Sequence, residues 1–392
     1  MKLKKYIDII ALFAVVFAVG ALAMRSSFIF QHEIGLFLWL PDYFLDVFGG
    51  SFPISTLIGD FLVQFYKFPL VGPLCTALIV VGIYLLTRGI LRKFTRFDEL
   101  FAILLSLVAW FFIARSTTPI IGVAVLLITA LLRLALIPLK SFVRKPSSQS
   151  RVLPLAAIGI AAIVILTDPV IRNLEIWGRI ETATRQAKWD KVLKAATPER
   201  AEKDRDMVPF ALLAAGSKGQ MTLALAKYKV ANPGEMDFSG VENRRGFYFE
   251  SLLYERLGCT NEAIHNIYQC GCHMHRGTSF VVLTQLIRYN IELGNYTLVR
   301  KYCHILRHSL AYRSTADKLL KMYEGKPDET IDGGPASSAK AITENPMYNI
   351  VFMEQCGIDS PISRDRYKAY ATLLERYRKS GASRATSSRR NP

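Results

Sequence analysis

The chain has 392 residues, a net charge of +17 and an apolar fraction of 51%. Those averages fit a large globular core as well as anything else, but the distribution does not. Five long apolar runs crowd into residues 1–171, whereas residues 172–392 carry none and read as amphipathic helices, which excludes a wholly soluble chain.

The runs cover residues 7–24, 69–87, 100–114, 119–139 and 152–171. A hydrocarbon core needs roughly 17 to 25 mostly apolar residues. The third run is the shortest, bounded by Asp98, Glu99 and Arg115, and it crosses only if the bilayer thins around it. Basic residues near span ends stay on the cytoplasmic side. Lys2, Lys4 and Lys5, then Arg88, Arg92, Lys93 and Arg96, then Lys140, Arg144, Lys145 and Arg151 alternate with connections holding only Arg25, Lys67 and Arg115. The expectation is an inner-membrane protein with a cytoplasmic N-terminus and, after five spans, a periplasmic C-terminal domain. The first run with Ala21-Leu22-Ala23 also fits a cleavable signal peptide. Cleavage would leave four spans and the same topology.

Residues 25–68 are neither a span nor a polar loop. Phe37, Leu38, Trp39, Leu40, Tyr43, Phe44 and Phe48 interleave with Pro41, Asp42 and Asp46, and a second amphipathic piece follows. Such a pattern suits helices lying in the outer interface. Glu33, Asp42, Asp46 and Asp60, with His32 nearby, are the acids a lipid-linked transferase would use there. Their plainer reading is the wet face of interfacial helices. Within the spans, Asp8, Asp168 and Arg133 all lie close enough to an end to reach the interface.

From Arg172 onward the organisation is repetitive. Short turns recur at Gln186-Ala187-Lys188-Trp189, Ala215-Gly216-Ser217-Lys218, Leu257-Gly258-Cys259-Thr260 and Leu293-Gly294-Asn295-Tyr296. The small residues Ala187, Gly216, Gly258 and Gly294 are spaced by 29, 42 and 36 residues, scattered about the roughly 34 of a tetratricopeptide hairpin. Trp189 and Tyr296 stand two residues after theirs. Residues 172–324 are therefore expected to form a tetratricopeptide-like α-solenoid, with an ordinary helical bundle as the alternative. The fold class is all-α. Residues 325–340, rich in Gly, Pro and acids, are expected to be a mobile loop, 341–379 C-terminal helices, and 380–392 a disordered basic tail.

Cys270, Cys272, His273 and His275 place two thiols and two imidazoles within six residues. These donors suit zinc or copper, but their spacing matches no standard structural site. An ordinary helix end and a disulfide with Cys259 are the competing readings. No cofactor motif is present. The positive charge on the second part would suit acidic partners or anionic lipid rather than nucleic acid, which an external domain does not meet, and its plainer reading is a solvated basic surface.

Phe61-Leu62-Val63-Gln64-Phe65-Tyr66 with Pro69 and Gly72, and later Leu293-Gly294-Asn295-Tyr296 with Lys301-Tyr302 and Ala311-Tyr312-Arg313, resemble an uncharacterised family of polytopic membrane proteins of Bacteroidota, a domain of unknown function. The resemblance implies a multi-span part joined to a helical-repeat domain, and no catalytic residue comes with it. Two functions remain: a scaffold or receptor whose periplasmic repeats bind a protein or envelope component, favoured because repeats usually act by binding, and a lipid-linked sugar transferase.

Overall fold

The computed structural model describes residues 6–138, 152–231, 233–236, 238, 242–274, 276–329 and 331. The expected C-terminal helices at 341–379, the tail at 380–392, His275 and Cys356 lie outside the described residues. Among the described residues the chain is helical, with no strand. It divides into two compact units, residues 1–178 with 305–317, and residues 179–304 with 318–392.

The first unit is built on α1 (Ile7–Ala23), α2 (Arg25–Ile34), α3 (Pro41–Gly49), α4 (Pro53–Val63), α5 (Val71–Leu91), α6 (Asp98–Arg115), α7 (Ile120–Ala135) and α8 (Val152–Thr167). α5 packs against α1, α6 and α7, and α8 lies against α1 and α6. Leu12, Val16, Val80, Ile83, Trp110 and Ile158 fill the middle. Gly72 allows a close approach: a Cβ there would lie 2.6 Å from the Phe28 ring. The outward faces of these helices carry Leu78, Leu85, Leu105, Phe112, Ile128, Leu131, Ile160 and Ile163, all exposed.

α5 is the one described helix long and apolar enough to cross a membrane by itself. Two bent pairs raise the number to three if each is one span. α1 meets α2 at 76°, and α8 meets α9 (Pro169–Arg185) at 54°. This is fewer than five, for identifiable reasons. α6 has Asp98, Glu99 and Arg115 at its ends, and α7 is only 16 residues long. The first bend falls at Met24, where the chain leaves helical geometry for one residue.

The ends of the long helices are tied in pairs. Arg88 and Arg92 reach Asp98 at 3.4 and 3.3 Å, and Arg88 also pairs with Glu99. Lys93 donates to the carbonyls of Leu136 and Ile137. At the other end of α6, Arg115 lies 3.9 Å from Asp168, which follows α8.

The second unit contains α10 (Trp189–Ala195), α11 (Pro198–Lys203), α12 (Met207–Ser217), α13 (Met221–Lys227), α14 (Arg244–Leu257), α15 (Thr260–Cys272), α16 (Phe280–Glu292) and, across its boundaries in the chain, parts of α9, α17 (Tyr296–Arg307) and α18 (Arg313–Tyr323). Packing links α10, α11, α13 and α14 to α12, α14 to α15, and α15 to α16. Helix pairs are joined by turns with one shared geometry. Ala187, Gly219, Gly258 and Gly294 are left-handed, at φ +53, +69, +78 and +70. After each, the next amide donates back across the turn: Lys188 to Ala183, Gln220 to Ala215, Cys259 to Tyr254 and Asn295 to Asn290. This is the Schellman helix stop, in which a left-handed residue lets orphan carbonyls be satisfied.

The second turn differs from its expected position. Gly216 is still inside α12, and Gly219 is the residue that reverses the chain. Gly325, also left-handed at φ +67, follows α18. The left-handed residues at these turns, 187, 219, 258, 294 and 325, are spaced by 32, 39, 36 and 31 residues, and Lys229 after α13 and Gly277 before α16 are left-handed as well, at φ +51 and +65. Residues 326–329, expected to begin a mobile loop, are bonded to the start of α17. The Asp328 carboxylate accepts from the Thr297 amide at 2.7 Å, the Glu329 amide donates to the Gly294 carbonyl at 2.9 Å, and Arg300 donates to the Lys326 carbonyl at 2.8 Å.

Candidate functional site

Two stretches far apart in sequence build the polar interior of the first unit: residues 25–68 and the turn after α17. Gln64 follows α4 and is completely buried. Its side-chain carbonyl accepts from the Leu310 amide at 3.0 Å and the Ser309 hydroxyl at 3.4 Å, while its amide donates to the Phe61 carbonyl at 3.0 Å. The Trp39 amide donates to the His308 carbonyl at 2.9 Å. One glutamine thereby satisfies backbone and side-chain donors of a returning turn that would otherwise be buried without partners.

His32 is at the centre of this arrangement. Its Nδ1 lies 3.1 Å from the Val63 carbonyl and its Nε2 2.8 Å from the Tyr312 hydroxyl. A carbonyl only accepts, so Nδ1 carries the proton, and in the neutral ring Nε2 accepts from Tyr312. The rings stack at 5.5 Å with 18° between their planes, and the Lys67 ammonium sits 4.3 Å above the Tyr312 ring. Gly35 permits the local close approach, since a Cβ there would lie 2.5 Å from Val63.

The four candidate acids separate. Glu33 and Asp60 are buried, and Asp60 accepts from the Tyr43 hydroxyl at 2.9 Å. Asp42 and Asp46 lie exposed on α3. Phe37 is buried against Trp39, Tyr43, Phe44 and Phe61, so an aromatic cluster fills the segment that carries these acids. The exposed side chains of the α3–α4 elbow are chiefly apolar: Leu45, Phe48, Phe52 and Ile54. None of the four acids lines either of two cavities found in this unit. One is a small space bordered by Gln31, Tyr66, Trp110 and Thr118, and the other an apolar groove between α6 and α8.

In the second unit, Cys270 is buried, Cys272 is exposed, and the His273 ring stacks on Phe247 at 5.1 Å. Burial pushes the Cys270 thiol up to about 12, with the Arg244 charge pulling it down and Glu181 adding to the rise. That group is protonated near neutrality in the metal-free chain. Among the described residues no group of three or more His, Cys, Asp and Glu side chains is placed to hold a metal ion. Among the described residues, Cys75, Cys270, Cys272 and Cys303 carry free thiols. Glu181, almost wholly buried, takes both arms of Arg244 at 2.9 and 2.7 Å, with Arg245 3.6 Å away. The expected turn residue Trp189 opens α10, with the Arg256 guanidinium 5.3 Å from its ring, and Tyr296 opens α17 and stacks on Tyr323 at 5.0 Å.

A family of unknown function (DUF6057) matches residues 2–170 and 115–341, the two matches overlapping at 115–170. The chain belongs to that family. No curated protein and no solved structure matches it. In this member of DUF6057 the residues that sequence reasoning missed are Gln64, Tyr312 and Gly219. The first two lie within stretches whose resemblance to a family was already visible, but their pairing is non-local and has no spacing signature. Gly219 was masked by Gly216 three residues earlier.

Proposed function

We propose that this DUF6057 protein is a membrane-anchored scaffold or receptor. α1, α5, α6, α7 and α8 anchor it in a bacterial inner membrane with the N-terminus in the cytoplasm. The part beyond α8, with its tetratricopeptide-like hairpins forming a solenoid, faces the periplasm and binds a protein or envelope component. The apolar exterior of the first unit carries this reading. Side chains such as Leu78, Leu105, Phe112, Leu131 and Ile163 are exposed on consecutive turns of several helices, an apolar surface that water tolerates poorly and hydrocarbon accepts. The end pairings support the alternation of five helices, since Arg88 with Asp98 and Lys93 with the end of α7 gather opposite to Arg115 with Asp168. Helices of 16 to 18 residues measure about 24 to 27 Å, slightly short of a ~30 Å core, and a locally thinner bilayer accommodates them.

The choice of scaffold over transferase rests on the acids. A transferase needs a base and its partners around one cavity, and here Glu33 and Asp60 are buried while Asp42 and Asp46 are exposed on α3, so the four do not share one environment. Repeated helix hairpins suit binding.

The test uses the native Cys272 and the whole chain. In a Cys356→Ser background, a membrane-impermeant maleimide added to spheroplasts should label the chain and fail to label it once Cys272→Ser is added, whereas labelling only after lysis would overturn the orientation. Photo-crosslinking residues introduced at Leu223, Tyr268 and Leu298, exposed in the second unit, should each yield one discrete adduct of common mass. Absence of any adduct at all three would sink the scaffold reading.

A further inference from the structure

The groove between α6 and α8 has a shape and chemistry of its own. Leu104, Leu107, Val108 and Phe111 line it from α6, and Ala157, Ile160, Ala161, Val164 and Ile165 from α8. Each set follows one helical face, i, i+3, i+4 and i+7. Leu107 and Ile165 are buried at its floor, whereas Val108, Ile160 and Val164 are exposed along its rim. The cavity measures about 370 Å³ and is walled almost entirely by apolar atoms. Ala157 and Ala161 are the reason a trench exists, because small side chains one turn apart leave space that Leu or Ile would fill.

Length and charge identify the occupant. Nine residues of α8, from 157 to 165, extend over about 12 Å, close to the ~15 Å depth of one leaflet's hydrocarbon. The groove runs towards the end of α6, where Arg115 stands one turn beyond Phe111 with its guanidinium 5.2 Å from that ring. Arg115 is 40% exposed, and its only ion pair among the described residues is the 3.9 Å contact with Asp168, which leaves most of its five N–H donors available. An apolar slot of leaflet depth ending at a guanidinium complements a lipid tail joined to a phosphate.

We propose that the α6–α8 groove holds one acyl chain of an outer-leaflet glycerophospholipid whose phosphate is bound by Arg115. The proposal rests on the membrane reading above, and it goes beyond anchoring because it assigns a specific lipid site. Ordinary boundary lipid would contact every outward face alike, whereas this face offers a recess with a cation at its mouth.

The experiment is photolabelling of the full chain, purified and reconstituted into vesicles of phosphatidylethanolamine and phosphatidylglycerol. The vesicles contain a small share of phosphatidylglycerol with a diazirine in its acyl chain. Label should concentrate on peptides from α6 and α8. Ala161→Phe, which fills the trench, should reduce that label to the level of other outward faces, while Ile163→Phe, on an exposed side chain outside the groove, should leave it unchanged. Val164→Trp at the rim is the second blocking variant, should Ala161→Phe not fold by circular dichroism and gel filtration. Arg115→Gln should weaken labelling by the phospholipid roughly fivefold but not labelling by a diacylglycerol carrying the same chain. Label spread evenly over all outward faces and indifferent to these substitutions would overturn the proposal. So would disulfide-linked dimers of Ile160→Cys that exclude the probe, because the occupant would then be a second copy. Failure of the wild-type chain to float with the vesicles would instead overturn the membrane reading.

Discussion

His32 and Tyr312, 280 residues apart in the chain, meet through a 2.8 Å hydrogen bond between Nε2 and the phenol and through stacked rings. The second residue arrives there because Gln64 captures the turn at Ser309 and Leu310. Replacing the phenol by Tyr312→Phe removes one hydrogen bond and keeps the ring, so a loss of about 1 kcal/mol is expected. Gln64→Leu should cost more, about 1 to 3 kcal/mol, because it removes the acceptor of both the buried Ser309 hydroxyl and the part-buried Leu310 amide. Unfolding midpoints of the two variants in the same detergent give the comparison. Equal losses would mean that water replaces Gln64, and that the glutamine does not hold the turn.

A second expectation concerns the left-handed turns. Ala187 occupies with a Cβ the conformation that glycine adopts at 219, 258 and 294. Ala187→Gly should therefore stabilise the protein by about 1 kcal/mol despite the added freedom of the unfolded chain. Gly258→Ala should lower stability by a similar amount. Gly294→Ala should be the worst of the three, since its Cβ would also lie 2.6 Å from the Glu329 side chain. Denaturant titration ranks them, and a neutral Gly294→Ala would show that residue 329 moves aside freely.

How much of this was legible beforehand depends on range. The turns at 187, 258 and 294 were readable because a small residue between two amphipathic runs is a local signal. The turn at 219 was displaced because Ala214-Ala215-Gly216-Ser217 offered an earlier small-residue cluster, yet that stretch packs as the end of α12 and only Gly219 takes positive φ. The all-helical class followed from hydropathy periodicity, but the spans did not translate one for one. Charges at the ends of α6 and the shortness of α7 are visible in the sequence, whereas the 76° bend at Met24 depends on tertiary packing. The return of residues 305–317 to Gln64 and His32 was not legible at all, since nothing in α17 announces which distant glutamine will receive its turn. For the acids, composition put Glu33, Asp42, Asp46 and Asp60 in one segment, but only the fold separates the buried Asp60, held by Tyr43, from the exposed Asp42.

The buried ion pair of the second unit sets a third test. Glu181 receives Arg244 in two-pronged geometry, and removing the buried carboxylate leaves the largely buried Arg244 guanidinium without its counter-charge. Glu181→Leu should cost about 3 to 5 kcal/mol, and the double variant with Arg244→Met distinctly less, because no uncompensated charge remains. Chemical denaturation of the two variants checks it. A double variant as unstable as the single one would assign the loss to packing rather than to the stranded arginine.

Cys270 supplies a pH-dependent expectation. Its ordinary value is 9.0, and burial pushes it up to about 12 in the folded protein. Between these values the unfolded chain releases this proton while the folded chain keeps it, so the native state binds more protons and stability falls as pH rises. Below about pH 9 both states hold the proton and the contribution is constant. Cys270→Ala abolishes the linkage, so the decline of stability between pH 9 and 12 should be shallower in this variant than in the wild type, the background from other groups being common to both. The same burial should delay alkylation. At pH 8 the exposed Cys272 should react with a maleimide in the folded protein, and Cys270 only on unfolding. If Cys270 reacts as fast as Cys272 in the native state, the thiol is neither enclosed nor held protonated.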